Sequence, residues 1–332
     1  MHAHTYPGLP MHTIPVDVDE QGLKLIRFLA RRLAAALPPP SEGDLHRWIR
    51  TGQVRVNGGR ARAFDRLNAG DLVRVPPFAA AGLTRAFREQ PVLAPGMSIA
   101  GLKLLAVTPD ILALEKPSGL PTQPGTGHED CVASRLQRFF TGLAHVPAPA
   151  HRLDKATSGI VLAGRNAAAQ QHLHTLFASP ERREDPAGKT LTKAYLAWVG
   201  GAWPQKREAV LEDYVAKETL DAAGQREAMR VVPAGAGQFA QSLVAPVHML
   251  TDSPHGKVTL LRITLHTGRT HQIRIQLASR GYPVIGDAKY GGAPFSRMLL
   301  HAYALECFWN GEAVRVSSLP DWPPPFAIRC VP

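Results

Sequence analysis

The most pointed chemistry in this chain lies between His151 and Gly164. Asp154 stands between Arg152 and Lys155, a Thr157-Ser158-Gly159 turn follows, and an apolar, strand-like run extends from Ile160 to Ala163. A carboxylate in such a setting can act as a nucleophile if it is ionised and poorly screened by water. The ordinary alternative is a turn aspartate that bonds its own backbone. A second cluster lies far downstream, at Leu265-His266-Thr267-Gly268-Arg269-Thr270-His271-Gln272-Ile273-Arg274, followed by Gly286-Asp287-Ala288-Lys289-Tyr290-Gly291. With Thr270 as the cap of a helix ending at Gly281, His271 and Arg274 share one face, while Ile273 and Leu277 pack elsewhere.

Several elements are needed to present these groups. Ile111-Leu112-Ala113-Leu114 reads as a buried strand that closes in the turn Glu115-Lys116-Pro117-Ser118-Gly119. Asn166 can cap a helix through Ala169, Leu173, Leu176 and Phe177, and Pro180 to Gly188 is charged and loop-like. Lys193 to Val199 alternates as a strand, in which Tyr195 would ordinarily be a core residue, and Leu260 to Leu265 reads as another. Between Gly200 and Gln241 only short polar hairpin material with glycines is recognisable.

The N-terminal quarter has a different character. Residues 1–20, with His2, His4 and His12 among Gly and Pro, read as a loose tail. From Gly22, Leu23, Leu25, Ile26, Leu29, Leu33 and Leu37 recur at helical spacing, with Arg27, Arg31 and Arg32 on other faces, until Pro38-Pro39-Pro40 ends the helix. Ser41 and Asp44 have the form of a capping box for a second helix, reaching about Thr51 and carrying Arg47 and Arg50. Gln53 to Arg60, including Arg55, reads as a strand running into an Asn57-Gly58 hairpin turn, and Gly70-Asp71 precedes a strand at Leu72 to Val75.

These segments resemble two known families. His151-Arg152-Leu153-Asp154 with Thr157-Ser158-Gly159, and Thr267-Gly268-Arg269-Thr270-His271-Gln272-Ile273-Arg274, resemble the signatures of the RluA-type pseudouridine synthases, which isomerise uridine in RNA without a cofactor. The basic helices and hairpin unit, with Gly52 to Gly58 and Ala69-Gly70-Asp71 in that order, resemble an S4 RNA-binding domain. The resemblance implies an α+β fold with a bent mixed, mostly antiparallel sheet and a cleft across its middle. It divides the chain into a tail (1–20), an S4-like domain (21–77), a linker (78–100) and a catalytic domain (101–332).

The resemblance also assigns roles. Asp154 would attack, Arg274 would pair with it, and Tyr195 would stack on the flipped base and take up a proton. Lys116 beside the cleft, Arg152, Arg269 and His271, with Arg47, Arg50 and Arg55 of the N-terminal domain, would contact the substrate RNA. Gln276 occupies a position where the family usually has His.

Composition sets the wider limits. Lys and Arg outnumber Asp and Glu by 38 to 27 in 332 residues, and the stretch from Lys24 to Pro77 alone carries 11 basic and 4 acidic side chains. A polyanionic partner is expected, 23S rRNA being the RNA that the resemblance favours over tRNA. Three scattered cysteines, the lack of a membrane-length apolar run and a first 20 residues without a signal-peptide core lead us to expect a cytoplasmic protein, and a monomer is the separate expectation for its assembly. Metal hydrolysis is disfavoured: His172-Leu173-His174 is the only internal His-x-His, and there is no Cys-x-x-Cys. The competing class is a non-catalytic RNA-binding assembly factor, in which Asp154, Tyr195 and Arg274 would have no reason to occur together.

Overall fold

A computed structural model of the 332-residue chain describes residues 12–33, 40–76, 91–125, 129–143, 145–178, 191–218, 228–309 and 311–331. The chain divides into two compact units, the first built mainly from residues up to Val92 and the second mainly from Leu93 onward. The loop expected at 180–188 and residues 1–11 of the expected tail lie outside the described residues.

The first unit contains β1 (His12–Pro15), a 3-10 turn (Val18–Glu20), α1 (Leu25–Arg32), α2 (Glu42–Arg50), β2 (Arg55–Val56) and β3 (Leu72–Val75). Its antiparallel sheet has the order β1-β3-β2. Leu25, Phe28 and Leu29 of α1 and Leu45, Trp48 and Ile49 of α2 close over Ile14, Val54, Val73 and Val75. Each such burial contributes about 1.5–3 kcal/mol. The start of α2 follows from Ser41: the Asp44 N–H donates to Ser41 Oγ at 3.2 Å and the Ser41 N–H to Asp44 Oδ2 at 3.1 Å.

Two expectations change here. Residues 12–20 are not a loose tail, because β1 pairs with β3 and Ile14, Val16 and Glu20 are buried, Glu20 against the guanidinium of Arg32. At the Asn57-Gly58 turn both residues have positive φ (50° and 78°), and Val56 and Gly59 exchange backbone hydrogen bonds across it at 3.1 and 2.9 Å, so the expected turn forms, but the ladder of β2 runs on with β3.

The second unit contains β4 (Ser98–Ile99), β5 (Leu102–Val107), β6 (Ile111–Lys116), α3 (Val132–Phe139), β7 (Ala148–Pro149), β8 (Ser158–Gly164), α4 (Ala167–Ala178) and β9 (Thr192–Gly200). It continues with β10 (Ala209–Glu218), β11 (Ala228–Val232), β12 (Gln238–Leu250), β13 (Val258–Leu265), α5 (Gln272–Ala278), β14 (Leu300–Trp309) and β15 (Glu312–Ser317). Among the described residues the strands form one sheet in the order β11-β10-β12-β13-β9-β14-β8-β6-β5-β4, with β15 on β14 and β7 on β8. Every pairing is antiparallel except β14 with β8, so the expected α+β class with a mixed, mostly antiparallel sheet holds.

The parallel contact is tight. A Cβ on Gly159, where φ is 117°, would come within 2.3 Å of the Ala302 carbonyl oxygen, so only glycine lets these strands meet. Ser98–Ile99, inside the expected linker, pairs with β5 and belongs to this sheet. The described residues between 200 and 241 contribute to three strands of this sheet, more regular structure than their polarity suggested. Leu211, Val215 and Ala240 of β10 and β12 face the core, while Val210 and Glu212 face outward. Among the described residues, no helix is long and apolar enough to cross a membrane.

Candidate active site

Asp154 lies in the turn between β7 and β8, and the turn after β6 supports it from below. Thr122 Oγ1 donates to the Leu153 carbonyl at 2.9 Å and accepts the Leu153 N–H at 3.1 Å. Ser118 Oγ donates to the Ala156 carbonyl at 2.7 Å. Lys116 is fully buried, and its Nζ donates to the carbonyls of Pro117, Leu120 and Lys155 at 3.0, 2.7 and 3.2 Å. Burial pulls its pKa down to about 7, against the charge of Asp154. Lys116 therefore fastens the Asp154 turn to β6 and offers no surface to RNA, which corrects the expected contact role.

The opposite side comes from α5. The helix does not begin at Thr270; His271 is its N-cap, held in the left-handed region at φ 55°. Gln272 shapes this entry, its Oε1 accepting from Thr267 Oγ1 at 2.7 Å and from the Arg269 N–H at 3.0 Å. The outcome resembles the expectation although the cap differs, because both side chains reach one carboxylate oxygen. Arg274 Nη1 is 3.2 Å and His271 Nε2 3.6 Å from Asp154 Oδ2.

Behind them stands the loop after Val284, whose sequence was noted without a role. Asp287, almost wholly buried, grips Arg274 with two contacts, Nε to Oδ2 at 2.7 Å and Nη2 to Oδ1 at 2.8 Å. Burial works against the charge on Arg274, but Asp287 and Asp154 outweigh it and raise the pKa. Tyr290 places its ring 4.9 Å from the Arg274 guanidinium and its hydroxyl 2.8 Å from His271 Nδ1. Burial lowers the pKa of His271 despite Asp154, with Arg274 and Lys289 adding to the effect. The loop is pinned by glycine: a Cβ on Gly286 would lie 2.2 Å from the Arg297 carbonyl oxygen, and one on Gly292 1.9 Å from that of Val284.

A cavity of about 440 Å³ opens over Asp154, its walls including Arg152, Tyr195, Arg269, His271 and Arg274. That volume lies in the usual range for a small-molecule pocket, about 300–1,000 Å³. Tyr195, buried on β9, has its pKa pushed up by burial and by the charge of Asp154, so at rest it is a neutral phenol. Arg152 is exposed at the rim, and Arg269 donates from Nε to the Phe239 carbonyl at 2.9 Å. Of the predicted residues the cavity thus gathers Asp154, Tyr195, Arg274, Arg152, Arg269 and His271, and leaves out Lys116.

Arg47, Arg50 and Arg55 belong to the first unit. Arg50 is exposed, Arg47 pairs with Asp44 at 2.5 Å, and Arg55 donates to the Gly58 carbonyl at 3.1 Å. Gln276 is buried away from the cavity, accepting from Ser242 Oγ at 2.6 Å and donating to Asp213 Oδ2 at 2.9 Å. The two histidines of the His-x-His pair serve packing and the rim: His172 lies against Trp309, and His174 Nε2 meets Gln170 Nε2 at 2.8 Å.

Comparison with known proteins points the same way. The family model for RNA pseudouridylate synthase matches residues 110–279. "Ribosomal large subunit pseudouridine synthase C" of Haemophilus influenzae is 30% identical over 321 residues, 93% of this chain and 91% of that protein. The protein of the same name from Escherichia coli K12 is 31% identical over 324 residues, 93% of this chain and 92% of its own. Among solved structures, human RNA Pseudouridylate Synthase Domain Containing 1 shares the fold with a TM-score of 0.54 at 24% identity, covering 69% of this chain and 86% of that one. The matched segment contains both Asp154 and Arg274, and by this measure the protein belongs to the RNA pseudouridylate synthase family.

Proposed function

We propose that this enzyme converts uridine to pseudouridine in large-subunit ribosomal RNA, with Asp154 as the attacking group. The reaction breaks the bond from C1′ to N1, turns the base, and joins C1′ to C5. The proton lost from C5 balances the one gained at N1, so the change is an isomerisation that consumes no electrons. Attack at the sugar and attack at the base ring both call on the same ionised carboxylate. The observation that carries this reading is Asp154 facing a cavity of about 440 Å³, with a guanidinium 3.2 Å from one of its oxygens.

The target nucleotide must leave its stack to enter the cavity, at a cost of roughly a few kcal/mol. Stacking on Tyr195 returns about 1–3 kcal/mol. As a neutral phenol at rest, Tyr195 is suited first to stacking and hydrogen bonding, and it can take the C5 proton only as its own moves on. Arg152 and Arg269 at the rim fit contacts to phosphates or to the gap left by the flipped nucleotide. We assign the first unit an S4-like role in holding RNA through Arg47, Arg50 and Arg55. The choice of large-subunit rRNA rests on the names of the two bacterial relatives, and a cytoplasmic enzyme fits such a substrate.

The test is to map pseudouridines in 23S rRNA from cells with and without this protein, and with Asp154→Asn restored in place of the wild type. Sites that vanish with the gene and stay absent with Asp154→Asn support the reading. An unchanged rRNA map accompanied by lost tRNA sites would overturn the substrate, and full modification by Asp154→Asn would overturn the chemistry.

A further inference from the structure

Two partners of Asp154 are themselves held by the loop after Val284. Arg274 has five donors in a fixed fork, so its paired contacts with Asp287 orient it without any choice of tautomer. An imidazole with a single proton has two tautomers, and only one of them presents a donor to Asp154. We propose that Tyr290 is a positioning residue that fixes His271 in the tautomer with its proton on Nε2, so that this N–H faces the Asp154 carboxylate and the nucleotide beside it. The inference rests on the reading of Asp154 as the reactive carboxylate.

The geometry decides between the tautomers. The Tyr290 oxygen already accepts the Met229 N–H at 3.1 Å from the edge of β11, and it lies 2.8 Å from His271 Nδ1. With one acceptor site on the oxygen used, the hydroxyl proton is best placed towards Nδ1, which then must be the unprotonated nitrogen. The ring proton goes to Nε2. The reverse arrangement would turn the Nε2 lone pair towards a carboxylate oxygen 3.6 Å away, setting two electron-rich groups against each other.

The surroundings make that proton's location matter. The charged and titratable groups around the ring are Asp154 from the β7–β8 turn, Arg274 from α5, and Asp287, Lys289 and Tyr290 from the loop. Burial, with Arg274 and Lys289 and against Asp154, disfavours the doubly protonated imidazolium, in which the two tautomers would be equivalent. The residue also sits in the left-handed region, at φ 55°, which few non-glycine residues adopt.

A separation of 3.6 Å is too long for a good hydrogen bond, so Arg274 carries the ground-state pairing. The His271 N–H is left to be completed when the nucleotide enters and the carboxylate moves. Contacts of this kind are often long in the empty site and shorten with substrate bound.

The experiment is to measure the imidazole 15N shifts of His271 in the full-length protein and in Tyr290→Phe, with kcat and KM on an rRNA fragment. We expect the Nε2–H tautomer in the wild type at neutral pH, and a mixture with Nδ1–H in Tyr290→Phe. In that variant kcat should fall about tenfold, the size of one lost hydrogen bond, with KM nearly unchanged. His271→Gln, which keeps an amide donor near the place of Nε2, should retain more activity than His271→Ala. A wild-type ring in the Nδ1–H or cationic form would overturn the proposal, as would a Tyr290→Phe variant unchanged in both tautomer and kcat. The shifts are read on the free protein, so they stand or fall whatever RNA the enzyme modifies.

Discussion

Arg274 meets Asp287 side by side, Nε to Oδ2 at 2.7 Å and Nη2 to Oδ1 at 2.8 Å, which leaves Nη1 as the nitrogen turned to Asp154. One carboxylate thus orients the guanidinium while the other remains available to the cavity. Asp287→Asn preserves the shape but removes a charge from a buried pair, and breaking such a pair costs about 3–5 kcal/mol. The variant should show a lower urea midpoint and a kcat reduced by at least about tenfold, with RNA affinity little changed. Wild-type kcat in a folded Asp287→Asn protein would remove Asp287 from this role.

Asp154→Asn should bind RNA at near wild-type affinity and form no detectable pseudouridine, because an amide is not a nucleophile of the required kind. Single-turnover assays with enzyme in excess are the appropriate measurement, since they separate chemistry from product release.

Tyr195 separates stacking from proton transfer. Tyr195→Phe keeps a ring and should keep substrate affinity, whereas Tyr195→Leu should lose about 1–3 kcal/mol of it. If Tyr195→Phe also retains kcat, the hydroxyl has no part in moving the C5 proton.

Acid should weaken the fold through two histidines. Burial pushes His301 down to about 4, its neighbours Ser318 and Asp321 opposing the shift, and burial with Lys193 pushes His151 to about 3. Both rings are satisfied when neutral: His301 lies between Ser158 Oγ at 2.9 Å and the Ser318 carbonyl at 3.0 Å, and His151 Nε2 accepts the Leu162 N–H at 3.1 Å. In the unfolded chain both would take a proton near pH 6.5, which the folded state refuses. Their contribution is therefore complete above about pH 6.5 and declines as pH falls towards 4 and then 3. By pH 5 the loss should amount to about 2 kcal/mol for each ring. Urea midpoints at pH 7 and pH 5 should differ accordingly, and His301→Asn should reduce the difference while His151 keeps its share.

Salt dependence tests the first unit. Each of Arg47→Gln, Arg50→Gln and Arg55→Gln should reduce the slope of log affinity against log salt by up to about 0.7–0.9 if its charge meets a phosphate. An unchanged slope in the triple variant would place the phosphate contacts elsewhere.

What could be read from the sequence was mostly local. Ser41 with Asp44, and Asn57 with Gly58, act over a few residues, and their turn and cap geometries follow from side-chain chemistry alone. The pairing of Asp154 with Arg274 spans 120 residues, and only the resemblance of both segments to one family connected them in advance. Lys116 was misread because its three carbonyl partners include Lys155, which no local pattern reveals. Thr270 was the better cap by residue type, but Gln272 bonds Thr267 and Arg269 and moves the helix start. Strands β10 to β12 were obscured because their exposed positions mix polar residues such as Glu212, Arg230 and Gln238 with apolar Val210, Phe239 and Met249, which blurs the alternation.

The missing methyl groups at Gly159, Gly286 and Gly292 set a boundary for anyone wishing to re-engineer this enzyme. Substrate range can be explored by varying Arg152, Arg269 or the exposed strand faces, where there is room for change. A library that randomises those three glycines would mostly sample broken scaffolds, since even alanine at any of them would drive a carbon into a main-chain atom.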